Sequence, residues 1–100
     1  MPPRIYVPDE KIKSFCRKWK INEFSLFGSV LRDDFHTHSD IDVLVSFEEN
    51  VAWSLYDVVE MKEELEAIFG RSVDLVEKGA VRNPFRRRSI MTDREILYAA

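Results

Sequence analysis

Residues 22 to 47 constrain the fold more tightly than any other stretch of the chain. An apolar run, Phe24 to Phe27, stops abruptly at Gly28-Ser29; ten residues later comes Asp40-Ile41-Asp42, and then a second apolar run, Val43-Leu44-Val45. In a strand, side chains alternate faces, so Asp40 and Asp42 project from one side while Ile41, Val43 and Val45 project from the other. Two neighbouring carboxylates repel each other unless something positive sits between them. The simplest candidate is a divalent cation, with Mg²⁺ favoured because it takes carboxylate oxygens and commonly carries a phosphate substrate on its remaining positions.

The glycine-serine pair supplies the other half of such a site. With Phe24 to Phe27 as a strand and Ser29 to Asp33 opening a short helix, Gly28 lets the backbone turn sharply and approach a ligand without a side chain in the way. Free amides at a helix start point at an anion. Arg32 lies one helical turn beyond Ser29, so both can face one ligand.

The two points together, Phe27-Gly28-Ser29-Val30-Leu31-Arg32 and Ser39-Asp40-Ile41-Asp42-Val43-Leu44-Val45, resemble the signature of the DNA polymerase β-like nucleotidyltransferase superfamily. The wider match runs through Glu63-Glu64-Leu65 to Gly70-Arg71-Ser72-Val73-Asp74-Leu75-Val76 and resembles the minimal nucleotidyltransferase (MNT) family in particular. Many members carry a second arginine directly after Gly-Ser and a glycine after the arginine matching Arg32; this chain has Val30 and Asp33 there. The resemblance implies a magnesium-dependent transfer of AMP from ATP to a hydroxyl. In it, Asp40, Asp42 and Asp74 hold two Mg²⁺ ions, and Gly28, Ser29 and Arg32 bind the nucleotide phosphates. It also implies a partner, because MNT proteins are typically encoded beside HEPN-type toxins and modify a tyrosine of that partner as antitoxins. Two other readings stand beside it: a transferase acting on a small hydroxyl compound, as aminoglycoside nucleotidyltransferases do, and a non-catalytic antitoxin that neutralises its partner by contact alone.

One hundred residues make a single domain, with residues 1 to 8 an irregular, proline-containing lead-in. That length leaves no room for a separate acceptor domain, which favours an acceptor presented by another chain. With 45% apolar and 33% charged residues the composition is that of an ordinary globular protein. The single cysteine, Cys16, excludes an internal disulfide, and no apolar run reaches membrane-spanning length, so a cytoplasmic protein is expected. Net charge of −3 weighs against nucleic-acid binding as the main role. The charge is uneven: residues 78 to 100 carry a local +4, from Lys78, Arg82, Arg86, Arg87, Arg88 and Arg94 against Asp93 and Glu95. That basic quarter is either a solvated helix face or a surface for an acidic partner or a nucleotide phosphate.

Asp9 is placed to cap a helix to about Lys20, with Ile12, Phe15, Cys16 and Trp19 on its buried face, which makes Cys16 a core thiol. Strands follow at about 22–27 and 40–47. His36 and His38, in the loop between them, lack a third nitrogen or sulfur ligand at recognisable spacing and read as structural or solvent-facing; Ser39 reads as a brace for that loop. Ser54 and Asp57 form a capping box for a helix to about Phe69, ended by Gly70. Its apolar face is Leu55, Val58, Val59, Leu65, Ile68 and Phe69, and its glutamates, Glu60 to Glu66, read as solvated surface. A strand over 72–77 carries Asp74, which by composition reads as a strand-end aspartate at the solvent edge; the resemblance reverses that and makes it the third carboxylate of the site. Asn83-Pro84 opens a helix to about Met91, and residues 95–98 form a last edge strand whose free side permits self-association. The alternation of strands and helices predicts an α/β domain with a mixed β-sheet flanked by helices.

Overall fold

The computed structural model describes residues 5–32, 35–36 and 38–100; the segment 1–4 and the positions Asp33, Asp34 and Thr37 lie outside the described residues. Asp33, singled out above, is among them. Helix α1 (Asp9–Lys18) leads into strand β1 (Ile21–Phe27), a 3₁₀ turn (Gly28–Leu31) and strand β2 (Ile41–Phe47). Helix α2 (Leu55–Phe69) then carries the chain to β3 (Val73–Glu77), and a second 3₁₀ turn (Lys78–Ala80) leads to α3 (Pro84–Thr92) and β4 (Glu95–Ala99).

The strands form one mixed sheet in the order β3-β2-β1-β4, with β2 and β3 parallel and the other two pairs antiparallel. The expected α/β architecture is therefore present, and β4 is an edge strand. A parallel pair needs a long connection, and α2 supplies it. Its start is firmly specified: Ser54 Oγ accepts the Asp57 N–H at 3.2 Å, while Asp57 Oδ2 accepts the Ser54 N–H at 2.9 Å. Its end is equally clear, with Gly70 at φ +68° in the left-handed region.

Helices α1 and α2 cover one face of the sheet. Ile12, Phe15, Cys16 and Trp19 of α1, Phe24 and Leu26 of β1, Ile41, Val43 and Val45 of β2, Met61 and Leu65 of α2 and Val73 of β3 form a continuous buried core. Burying such side chains contributes about 1.5–3 kcal/mol each. Where α1 meets α2, Glu64 accepts the Lys18 ammonium at 2.8 Å and the Trp19 indole N–H at 3.2 Å, and Trp19 and Trp53 pack edge to face with centroids 5.1 Å apart. The Cys16 thiol is fully buried, and that burial pushes its pKa up to about 12.

On the opposite face Phe27, Leu44, Val81 and Ile90 form a smaller cluster, with Val76 and Met91 against it. It holds α3 on the sheet. The Asn83 side chain caps α3, accepting the N–H groups of Phe85 and Arg86 at 3.0 and 3.1 Å, with Pro84 in the first turn as its fixed φ favours.

Several expectations need correction. Asp9 is the first residue of α1, not its cap; Pro8 occupies the cap position without a side-chain hydrogen bond. The helix stops at Lys18 because Lys20 turns left-handed, at φ 55°, to enter β1. The helix expected from Ser29 is a 3₁₀ turn that starts at Gly28. Leu55 and Val59 are 78% and 48% exposed, and the burial assigned to them falls instead on Met61. Two of the glutamates on α2 are engaged rather than solvated: Glu64 as above, and Glu66, which accepts the Val73 N–H at 3.0 Å and so secures the start of β3.

Candidate active site

The site is assembled by strand register. Asp42 is the second residue of β2, and on one side it pairs with Phe27, the last residue of β1; on the other it pairs with Asp74 of β3. Residues directly opposite in adjacent strands point to the same face, so Asp42 and Asp74 emerge together, on the face that carries α3. Asp40 precedes the first residue of β2 rather than lying within it, and is exposed.

Gly28 follows Phe27 immediately and adopts φ +75°, a conformation disfavoured for residues with a Cβ. There is a second reason for glycine. A Cβ placed on Gly28 would lie 2.2 Å from Asp42 Oδ2, so the carboxylate occupies the space where a side chain would stand. The glycine of the turn and the aspartate of the strand are thus one feature, although fourteen positions separate them in the chain.

Asp42 is half-buried, and its pKa is raised above the usual carboxylate value. Burial is the main cause, followed by the charges of Asp74 and Asp40; the guanidinium groups of Arg32 and Arg86 act in the opposite sense. Asp42 therefore feels the charges of the other two aspartates named from the sequence, and those of two arginines. Among the described residues no group of three His, Cys, Asp or Glu side chains is gathered closely enough to hold an ion as placed. The donors are nonetheless of the type a hard cation takes, and a half-buried carboxylate that its neighbours repel is one a cation would stabilise.

Beside Gly28 opens a cleft of about 270 Å³ lined by Phe27, Gly28, Arg32, Arg86, Ser89, Ile90 and Asp93. Small-molecule pockets run to about 300–1,000 Å³, so this cleft suits part of a nucleotide rather than a whole buried ligand. Its walls come from the Gly28 turn on one side and α3 on the other. Ser29 is half-buried in the same turn, and its carbonyl accepts the Arg32 N–H at 2.9 Å, but it is not among the residues lining the cleft.

Of the residues lining the cleft, the sequence does not single out Ser89, and it offers Arg86 only as one member of a basic run. The available signal was the arginine-rich run, which pointed to charge without saying which arginine lies beside the cleft. The structure divides that run. Arg94 and Lys78 both pair with Glu23 of β1, Lys78 at 3.5 Å, and Arg87 donates to the Lys78 carbonyl at 2.8 Å. Arg86 lines the cleft and its charge acts on Asp42, although, like Arg82 and Arg88, it is exposed. His36 and His38 are exposed, as expected, and Ser39 Oγ braces their loop by accepting the His36 N–H at 3.1 Å.

The family model described as a nucleotidyltransferase domain matches residues 9–97. A candidate protein adenylyltransferase of Methanocaldococcus jannaschii is 41% identical over 76 residues, which cover 76% of each chain. The chain belongs to the minimal nucleotidyltransferases. Protein adenylyltransferase MntA of Thermococcus cleftensis is 35% identical over 86 residues, 86% of this nucleotidyltransferase and 82% of that one. Among solved structures, one described as a candidate minimal nucleotidyltransferase superposes with a TM-score of 0.70 at 31% identity, covering 87% of this chain and 86% of the other. A toxin-antitoxin crystal structure with AMP-PNP shares the fold at a TM-score of 0.74 and 23% identity, over 94% of this chain and 75% of that one. Among the described residues no helix of this nucleotidyltransferase is long and apolar enough to cross a membrane.

Proposed function

We propose that this nucleotidyltransferase is a cytoplasmic protein adenylyltransferase that moves AMP from ATP to a tyrosine hydroxyl of a HEPN-type partner, and so acts as its antitoxin. The observation that carries the reading is the half-buried Asp42, seated on Gly28 and in register with Asp74 beside a cleft that bears Arg32 and Arg86. The relatives support the choice of acceptor. The Thermococcus cleftensis relative is named a protein adenylyltransferase, and one structure of the same fold is described as a tri-AMPylated Shewanella oneidensis HEPN toxin in complex with its MNT antitoxin.

In this reading Asp40, Asp42 and Asp74 would hold two Mg²⁺ ions. When bound, the ions supply charge for the phosphates and lower the pKa of the attacking hydroxyl. The residues of the chain do the rest. Gly28, by lacking a side chain, lets the turn approach the phosphates; Ser29 and Arg32 bind them, with Arg32 offsetting the charge that develops on the leaving group. Asp74, exposed at the sheet edge, takes the proton of the tyrosine hydroxyl. The tyrosine oxygen bonds to the α-phosphorus, the bond from that phosphorus to the bridging oxygen breaks, and pyrophosphate leaves with the electron pair.

Intact mass spectrometry of a HEPN-type protein encoded beside this chain, after incubation with the chain, ATP and Mg²⁺, tests the reading. One or more AMP additions are expected, and they require all three components. A stable complex without a mass change would overturn transfer and leave neutralisation by contact; AMP on a small hydroxyl compound instead would move the acceptor.

A further inference from the structure

Arg71 follows the capping Gly70 at the junction of α2 and β3, and its side chain reaches back across the sheet edge to the segment that precedes β2. Its Nη2 donates to the Ser39 carbonyl at 3.0 Å and also to the His36 carbonyl. The guanidinium lies over the Phe35 ring, 4.3 Å from the centroid. Within that segment the Ser39 N–H donates to the His36 carbonyl at 3.0 Å, and next to it the Ile41 N–H donates to the Ser72 carbonyl at 2.9 Å. One planar group therefore holds two backbone carbonyls and a ring, directly before Asp40 and Asp42.

We infer that Arg71 is a positioning residue for the carboxylates: by gripping the carbonyls of His36 and Ser39 and stacking on Phe35, it sets the backbone from which Asp40 and Asp42 project. The catalytic meaning of this rests on the proposed function, whereas the grip itself does not. Ser39 is bonded directly to Asp40, so any rotation about the Ser39 carbonyl is passed to the Asp40 backbone. A displacement of about 1 Å at a reacting group can cost on the order of a hundredfold in rate. Lysine is a poor substitute: its ammonium can donate to both carbonyls, as Nη2 does, but it has no planar group to stack on the Phe35 ring at the same time. The hydrogen bonds of Arg71 go to backbone carbonyls, so it acts through the chain it holds.

Arg71→Lys and Arg71→Met test the inference. In metal-free protein, amide hydrogen exchange at residues 38–41 is expected to rise about tenfold or more in both variants, with β1 and α1 unchanged, because local opening loses its restraint. Mn²⁺ affinity, read by electron paramagnetic resonance, is expected to fall about 10- to 100-fold, the usual cost of losing support behind a ligand. AMP transfer is expected to fall in kcat with KM for ATP nearly constant, since the cleft formed by the Gly28 turn and α3 is untouched. Arg71→Met that unfolds leaves the decision to Arg71→Lys. Wild-type exchange and Mn²⁺ affinity in Arg71→Lys would overturn the inference, and so would faster exchange spread over the whole domain. A wild-type chain that transfers no AMP counts against the proposed function alone, because the exchange measurement still decides the role of Arg71.

Discussion

The face of the sheet under α1 and α2 and the face under α3 use the same strands for opposite ends. On the first, Phe24, Leu26, Ile41, Val43, Val45 and Val73 meet α1 and α2 in a buried apolar core, and the ion pair between Lys18 and Glu64 stays at its margin. On the second, Phe27, Leu44, Val76 and Ile90 make a smaller apolar cluster, and Asp42, Asp74 and Arg86 share its surroundings. Period-two alternation along β2 and β3 sorts the residues between the faces. The difference shows how a small domain can tolerate mutually repelling carboxylates: the packed face supplies the stability that the charged face gives up.

The sharpest way to break the comparison is Asp42→Asn, in which activity and stability should part. Transfer should fall by more than about a hundredfold, since metal-assisted stabilisation of the developing charge amounts to several kcal/mol. Stability should hold or rise at neutral pH. The sign follows from the raised pKa of Asp42, whose ionised form is less favourable in the folded chain than in the unfolded one. The cost is fully present above the folded pKa and disappears as pH falls below the ordinary carboxylate value, so the gain from asparagine should close over that window. Urea unfolding of both proteins between neutral and acid pH checks it.

Leu65→Ala is the mirror experiment on the packed face. The side chain is fully buried, so a loss of about 2–5 kcal/mol is expected in urea unfolding, with activity per folded molecule unchanged. Gly28→Ala should affect both quantities. The left-handed backbone costs about 1–3 kcal/mol for a residue with a Cβ, and Asp42 must also move out of the way, so transfer should drop with stability. Ser54→Ala removes one arm of the capping box and should cost about 1 kcal/mol by thermal unfolding, leaving transfer intact. The smallest effect should come from Cys16: with its thiol pushed up to about 12 inside the core, iodoacetamide should modify it in native protein only as fast as the core opens. Rapid alkylation would mean that the packed face is looser than described.

How far the sequence reveals the molecule depends on the range of the interaction concerned. Alternation along β2, the Ser54/Asp57 box and the Asn83-Pro84 start are local, and each predicted its element. The Gly28-Ser29 and Asp40-Ile41-Asp42 spacing led to the site, and the register between Phe27, Asp42 and Asp74 brings it together. Contacts set by tertiary packing were not legible. Nothing local shows that Arg86 lines the cleft while Arg87 caps a carbonyl, that Arg71 grips a segment more than thirty positions away, or that Leu55 and Val59 stay exposed while Met61 is buried.

The parallel pairing of β2 with β3 makes α2 a ruler. Its ends are pinned by the Ser54/Asp57 box and by Gly70, and Glu66 and Arg71 fasten the far end to β3 and to the segment before β2. An inserted or deleted residue inside α2 would rotate everything beyond it by about 100° and shift it by about 1.5 Å, pulling Asp74 out of line with Asp42. Residues 49–52, a turn and an irregular connection between β2 and the helix, have no such duty. Length variation among descendants of this chain should therefore collect in that connection and avoid the helix, a pattern that deep insertion scanning would reveal without any assay of chemistry.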